Sequence, residues 1–446
     1  RININSVSGP IDFSFSPRTS ADSRFTLITV ADAHVQTESN LTRFSNVSIP
    51  DIQETISKLE VSGTAGNIIG IGLGDQLWDN LSIASDVRRQ YTSLHTSKGT
   101  LPFFYCIGNH DHESRLKDIE SDPDFFSTAK FVEFFGPVNY SFDIGNAHII
   151  VMDDIQYNGC DESSINGTSK IQYSEGITGE QVRWLEQELA NVKDKGSKVG
   201  IFCTHSPVYN AIGNWSAIHK AMRQFNESHI LSGHIHNLTN DSYAGIKAKS
   251  GRQIIEHNIQ SLAGMWWLGD LSPNGTPSGY GVFTFNGGVL EREYNKVTKE
   301  DDSFQIRVYS GNDKYSTGFG WDSEYGGKFL VRVWDGDDPE ILDGEQTWWV
   351  SFVQGGKSVE MTRLSAPIID KCAASYIVDI LGSPHGTGGT ARSFSWWMID
   401  APCGNPARET GWEVVARHKI GNGPESVYRT STLTTDRTGY ANDEPF

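Results

Sequence analysis

Five times within the first 236 residues, an apolar, strand-like run ends directly in a short block of metal-binding side chains. The blocks are Asp32-Ala33-His34, Gly74-Asp75 with Asp79-Asn80, Gly108-Asn109-His110-Asp111, Thr204-His205 and Gly233-His234-Ile235-His236. The runs that precede them are Arg24–Val30, Asn67–Leu73, Leu101–Ile107, Lys198–Cys203 and His229–Leu231. Strands and helices alternate around the blocks, which argues for a layered α/β domain whose loops carry chemistry at the strand ends.

Helical spacing is present over Asp51–Leu59, at Ile52, Ile56 and Leu59, and a polar helix is expected over Ala84–His95. Thr178 and Gln181 form a capping box at the head of a helix that places Val182, Leu185, Leu189 and Val192 on one face. Asn139–Asp153 reads as two strands with a turn at Gly145-Asn146, and further strands begin near Gln253 and Gly281. The expected architecture is α/β: two sheets face to face, flanked by helices, in an αββα sandwich.

Near Val297–Ser303 the character changes: helical periodicity fades, Gly and Trp become frequent, and short strand-like runs follow. These are Phe304–Tyr309, Phe329–Trp334, Trp348–Val353, Phe394–Met398 and Trp412–Ala416, which suggest a second, smaller, β-rich and sandwich-like domain. A chain of 446 residues is too long for one ordinary core. The expected division is a lead-in at 1–23, a catalytic domain at 24–298 and an accessory domain at 299–446.

The net charge of −18 speaks against a generic nucleic-acid binder, because phosphate backbones are held by clustered Lys and Arg. It would also repel an anionic substrate, so the site must supply its own positive charge. No apolar run approaches the ~18 residues of a transmembrane segment. The first residue is Arg1 rather than Met, and the expectation is a processed, extracytoplasmic (periplasmic or secreted) product. The five cysteines show no C-x-x-C spacing; Cys106 and Cys203 fall within apolar strands, and Cys372 with Cys403 are a candidate pair.

Phosphoester hydrolysis needs a nucleophile at neutral pH and positive charge where the transition state gathers negative charge. Two metals roughly 3.5–4 Å apart supply both. His, Asp and Asn suit Zn, Mn or Fe, and the absence of Cys from all five blocks argues against a structural zinc site.

In their order, the blocks resemble the calcineurin-like metallophosphoesterase superfamily over about residues 24–290. The resemblance implies that Asp32, His34 and His236 hold one divalent metal ion, that Asn109, His205 and His234 hold another, and that Asp75 bridges the two. On an extended segment, alternate residues such as His234 and His236 share a face, which agrees with this division. A metal-bridging hydroxide would attack phosphorus in line, and His110 would assist the leaving oxygen. Asp79 is the candidate acid that orients His110, four residues beyond Asp75 where the family pattern has three. A tyrosinate-iron site of the purple acid phosphatase type is not expected, since His34 is followed by Val35. The Asn-His-Asp form of the third block favours a phosphodiester over a phosphomonoester.

Weaker signals leave alternatives open. Trp266-Trp267, in the loop Ser261–Tyr280, either wall the mouth of the site against a sugar, base or lipid headgroup, or plug the junction between domains. The loop resembles that of a bacterial branch of the superfamily with a C-terminal β-domain, and a glycan- or lipid-linked phosphoester is one option it raises. His112 touches substrate or sits on a solvated loop. Asp111 is expected to brace its loop through backbone amides, and Asp153-Asp154 have no expected ligand role. Seven of the twelve Trp lie beyond residue 300, where they serve either carbohydrate binding or core packing. The competing functional class is a non-catalytic binding or scaffold protein on the same fold.

Overall fold

The computed structural model describes residues 23–113, 122–161, 170–208, 213–334 and 347–435. The lead-in, apart from residue 23, lies outside the described residues.

Two sheets form the first architectural unit. In the five-stranded sheet the order is Val289–Val297, Gly279–Asn286, Arg24–Val30, Asn67–Leu73 and Phe103–Cys106. Its last three members run parallel, while Gly279–Asn286 joins Arg24–Val30 antiparallel. The six-stranded sheet has the order Thr239–Lys247, Gln253–Asn258, Glu227–Ser232, Val199–Cys203, Ala147–Val151 and Tyr140–Ile144, with four parallel strands between two antiparallel edges.

Alternation along each strand builds the layers. Leu27, Ile69, Ile149, Val151, Ile201 and Leu231 point inward and form one core between the sheets. Their neighbours face outward. Ile28 and Ile68 meet the helices Ile49–Ser62 and Ala84–Ser93 through Ile52, Ile56 and Val87. On the opposite side, Ile150, Phe202 and Ile230 meet Gly179–Asn191 and Trp215–Met222 through Leu185, Ile218 and Met222. The result is the expected αββα sandwich. The capping box also forms: the Gln181 amide donates to Thr178 Oγ1, and the Thr178 amide to Gln181 Oε1.

Beyond Val297, two four-stranded antiparallel sheets pack on a shared core of Val308, Phe329, Val331, Val350, Phe352, Trp397 and Val414. The chain there is not purely β. Lys371–Asp379 is a helix capped by Asp370, whose side chain accepts from the Ala373 amide. Its small residues Cys372 and Ala373 let it lie close against Trp396 and Tyr309. Cys372 is buried, Cys403 is exposed, and both are free thiols, so the candidate pair does not form. Of the seven Trp in this half, six are buried, and only Trp349, at 39 %, is exposed. Indoles occupied in packing offer no face to a sugar, so core packing is the role the structure gives them.

Candidate metal centre

The five blocks follow the carboxyl ends of parallel strands from both sheets, where the crevice of an open α/β sheet lies. Backbone hydrogen bonds tie the loops into one ring. His34 N donates to Asp75 O (2.9 Å), Asp32 N to Gly74 O (3.2 Å) and Gly233 N to His205 O (2.9 Å).

This ring is built from unusual backbone. Asp32, His34, Asp75, Asp79, His234, His236, Trp266 and Trp267 all adopt positive φ, between 46° and 70°. Non-glycine residues rarely occupy that region, and such strain persists only where surrounding contacts impose it. Two glycines complete the fit by having no side chain. A Cβ on Gly74 would lie 2.2 Å from His205 Nδ1, and one on Gly108 would lie 2.2 Å from Asp75 Oδ1.

All seven expected ligand residues come together. Asp32, His34 and His236 form one group able to hold a metal, and Asp75, His205 and His234 form another. Asn109 joins the second, its Oδ1 lying 3.0 Å from His205 Nε2 and 3.1 Å from His234 Nδ1. Asp75 Oδ2 stands between the groups, 3.6 Å from His34 Nε2 and 3.3 Å from His205 Nε2.

The donor set fits cations. His205 Nδ1 is 2.8 Å from Leu73 O, which only accepts, so that nitrogen carries the proton. Its Nε2 faces Asn109 Oδ1 and Asp75 Oδ2, both acceptors, so a cation belongs there: a second ring proton, since Asp75 outweighs burial and raises the His205 pKa to about 10, or a metal ion in that proton's place. Across the cluster, His34 Nε2 and His236 Nε2 approach to 2.9 Å, while the Nδ1 atoms of both rings are buried without a hydrogen-bond partner. Buried carboxylates and imidazoles gathered this closely need positive charge among them.

Electrostatics agree. Burial opposes charge on Asp75, but His205 and His110 outweigh it and hold the carboxyl well below its usual range. Burial likewise works against charge on His110, while Asp75 and then Asp79 push its pKa up. His110 donates its backbone N–H to Asp75 Oδ1 (2.9 Å), and its Nδ1 lies 3.0 Å from Asp79 Oδ1. The extra residue in that loop does not prevent the pairing.

Three braces surround the ligands. Asp111 accepts from Leu77 N (2.9 Å) and Gly108 N (3.0 Å), the backbone role expected of it. Asp154 accepts from the amides of His205 and Ser206, each at 2.8 Å. Glu175 Oε1 lies 3.3 Å from His234 Nε2, which leaves Nδ1 of that ring to the cluster. Glu175 went unrecognised in the sequence, since no apolar pattern marks its strand, Lys170–Glu175.

Two expectations need correction. His112 neither touches open solvent nor lines the site. It is 0 % exposed, with Nδ1 2.7 Å from Ser127 Oγ and its ring stacked 5.9 Å from Tyr157; burial lowers its pKa to about 3. Trp267 is also turned away, 3 % exposed, with Nε1 donating to Ala33 O (3.0 Å) and His34 O (3.1 Å). Trp266 does reach the site, 4.8 Å from the His236 ring, and Trp78, unremarked in the sequence although it precedes Asp79, stands beside it at 6.4 Å.

Residues 25–238 match the profile of the calcineurin-like phosphoesterase family, and residues 256–377 match that of the C terminal of calcineurin-like phosphoesterase. No curated protein matches the sequence. Among solved structures, the chain is similar to a purple acid phosphatase from yellow lupin (Lupinus luteus) seeds, at 15 % identity and a TM-score of 0.40, covering 64 % of this chain and 55 % of that one. It is similar to an NAD nucleotidase from Haemophilus influenzae at 12 % identity and a TM-score of 0.33, covering 62 % and 50 %. It is similar to PhoD at 10 % identity and a TM-score of 0.39, covering 93 % and 73 %. The chain thus spans about half the length of the first two.

Proposed function

The chain belongs to the calcineurin-like phosphoesterases, and we propose that it is a metal-dependent phosphoesterase whose blocks hold two divalent metal ions across Asp75. Asp32, His34 and His236 take one ion, and Asn109, His205 and His234 take the other. The observation that carries this reading is the position of Asp75 Oδ2, within 3.6 Å of His34 Nε2 on one side and 3.3 Å of His205 Nε2 on the other.

Bound there, the metal ions supply Lewis acidity to the phosphoryl oxygens and acidify a water near neutral pH. The chain's own residues do the rest. Asp75 fixes the spacing of the two ligand groups, while Asp111 and Asp154 hold the loops that aim Asn109 and His205. His110, held at Nδ1 by Asp79, places Nε2 to hydrogen-bond or protonate the departing oxygen. A phosphodiester is the favoured substrate, on the Asn109-His110-Asp111 form of the third block. Residues 24–298 carry the chemistry, and 299–446 form an accessory unit.

Metal analysis of the purified protein, run beside parallel assays on mono- and bis-nitrophenyl phosphate, tests the reading. About two metal ions per chain and faster diester turnover are the expected results. Protein that holds no added metal and hydrolyses neither ester would instead be a scaffold on this fold.

A further inference from the structure

We propose that the Tyr173 hydroxyl donates a hydrogen bond to a non-bridging phosphoryl oxygen of the bound ester, on the His234 side of the centre. This rests on the hydrolytic reading above and on the assignment of His110 to the leaving oxygen.

Tyr173 reaches the site on a hairpin. Ile155–Asp161 pairs antiparallel with Lys170–Glu175, setting Ile155 opposite Glu175 and Tyr157 opposite Tyr173. Side chains two apart on a strand share a face, so Tyr173 and Glu175 point the same way. Both meet His234. Glu175 Oε1 is 3.3 Å from its Nε2, and the Tyr173 ring stands edge-on to it at 6.2 Å, with planes 84° apart. The same strand packs against the turn Asn109–Asp111. Tyr173 therefore stands beside the half of the centre built from Asn109, His205 and His234. The hairpin is bolted to that half. Asp154, whose carboxylate accepts from the His205 and Ser206 amides, takes the Gly176 amide on its carbonyl (2.8 Å). Asp153 Oδ1 accepts from Ile155 N (3.0 Å), Asp124 Oδ1 from Tyr157 N (2.7 Å), and buried His112 stacks behind Tyr157.

The hydroxyl is what this placement leaves to be used. Tyr173 is half-buried, yet among the described residues its hydroxyl makes no hydrogen bond. A phenol enclosed to this degree ordinarily has a partner. Burial, then Asp75, ahead of Glu175 on its own strand, raises its pKa to about 12. The charge it feels most is thus the carboxylate between the two ligand groups, which sets the hydroxyl on the side of the centre, and at neutral pH it keeps a proton to donate. An anionic phosphoryl oxygen is the acceptor that rewards such a donor most. The leaving oxygen is not the one in reach, because the His110 ring that serves it lies against His34, in the other ligand group, at 5.2 Å.

The test compares methyl 4-nitrophenyl phosphate with the two diastereomers of its phosphorothioate, in which sulfur replaces one or the other non-bridging oxygen. Tyr173→Phe keeps the ring and removes the hydroxyl. In the metal-loaded full chain it should lower kcat/KM for the oxygen ester by about tenfold, with metal content unchanged. Sulfur accepts hydrogen bonds poorly. The oxygen-to-sulfur rate ratio should therefore shrink about tenfold for one diastereomer and hold for the other, whereas a residue that merely propped His234 would slow all three esters alike. Calorimetry with inorganic phosphate reads the same contact without turnover, and Tyr173→Phe should bind it about tenfold more weakly. If the variant hydrolyses the oxygen ester at the parent rate, slows all three alike or loses metal, the contact is refuted while the hydrolytic reading stands. If no ester is turned over yet Tyr173→Phe weakens phosphate binding, the hydrolytic reading fails and the contact survives. With no turnover, phosphate bound equally by both forms, or by neither, overturns the contact too.

Discussion

Nδ1 of His110 lies 3.0 Å from Oδ1 of Asp79, a residue held at φ 56° in the loop that follows the Asp75 strand. The contact fixes the ring's tautomer and leaves Nε2 for the reaction. An acid of this kind matters most when the leaving oxygen is basic. Asp79→Asn should therefore slow alkyl esters by about 10- to 100-fold and nitrophenyl esters much less. The check is the slope of log kcat against leaving-group pKa, which should steepen; an unchanged slope would separate Asp79 from the leaving-group step.

His205 is fastened on both sides, its Nδ1 to Leu73 O and its Nε2 beside Asn109 and Asp75. His205→Ala should lose metal together with activity, whereas His110→Ala should lose most turnover and keep about two metal ions per chain. Metal content measured on the purified variants decides it. Loss of metal from His110→Ala would make His110 a ligand.

Trp267 gives its indole N–H to two backbone carbonyls in the first ligand loop. Trp267→Phe keeps most of the packing but leaves those buried acceptors unpaired, at a cost of about 1–3 kcal/mol. Denaturant unfolding reads the loss.

Arg332 is buried against Asp370 at 3.2 Å and donates to Asn274 O (3.0 Å) and Thr276 Oγ1 (2.9 Å) in the loop that also carries Trp266. Removing Arg332 takes the positive partner from a buried carboxylate and leaves it neutral donors such as the Tyr309 hydroxyl and the Ala373 amide. Arg332→Met should destabilise by less than the roughly 3–5 kcal/mol of a wholly uncompensated buried charge, and the double variant Arg332→Met/Asp370→Asn should recover part of that. A double-mutant cycle by thermal unfolding measures the coupling.

Glu256 is buried in the six-stranded sheet, where its carboxylate accepts from Val208 N and Ser232 Oγ (2.8 and 2.9 Å) and from the Tyr243 hydroxyl. Burial outweighs these bonds and raises its pKa from 4.5 to about 7. Below pH 4.5 both folded and unfolded chains carry the proton. Between pH 4.5 and about 7 only the folded chain keeps it, so stability falls as pH rises, by on the order of 3 kcal/mol in total. Above that window the loss is complete. Glu256→Gln should flatten this part of the stability–pH curve, read by urea unfolding across the range.

The candidate ligands are legible because each sits directly after an apolar strand, and strand ends survive folding as strand ends. Arg24–Val30 and Asn67–Leu73 keep their expected limits. What adjacency could not reveal is direction. His112 follows the third block, yet the tight turn Asn109–Asp111 sends it inward onto Tyr157. Trp266 and Trp267 are equivalent as letters, and only their left-handed backbone decides which one meets the site. Glu175 arrives from a hairpin with no apolar signature. The helix Lys371–Asp379 was hidden because its small residues carry little periodic signal.

The reach of Arg332 into the 261–280 loop divides the molecule's labour in an unusual place. The side chains able to hold metal belong to the first 236 residues, but the loop that carries Trp266 is steadied from a sheet that begins after residue 300. A change around Arg332, Asp370 or the helix behind them is therefore felt at the centre itself, because the loop they steady holds Trp266 against the His236 ring and fastens Trp267 to the His34 carbonyl.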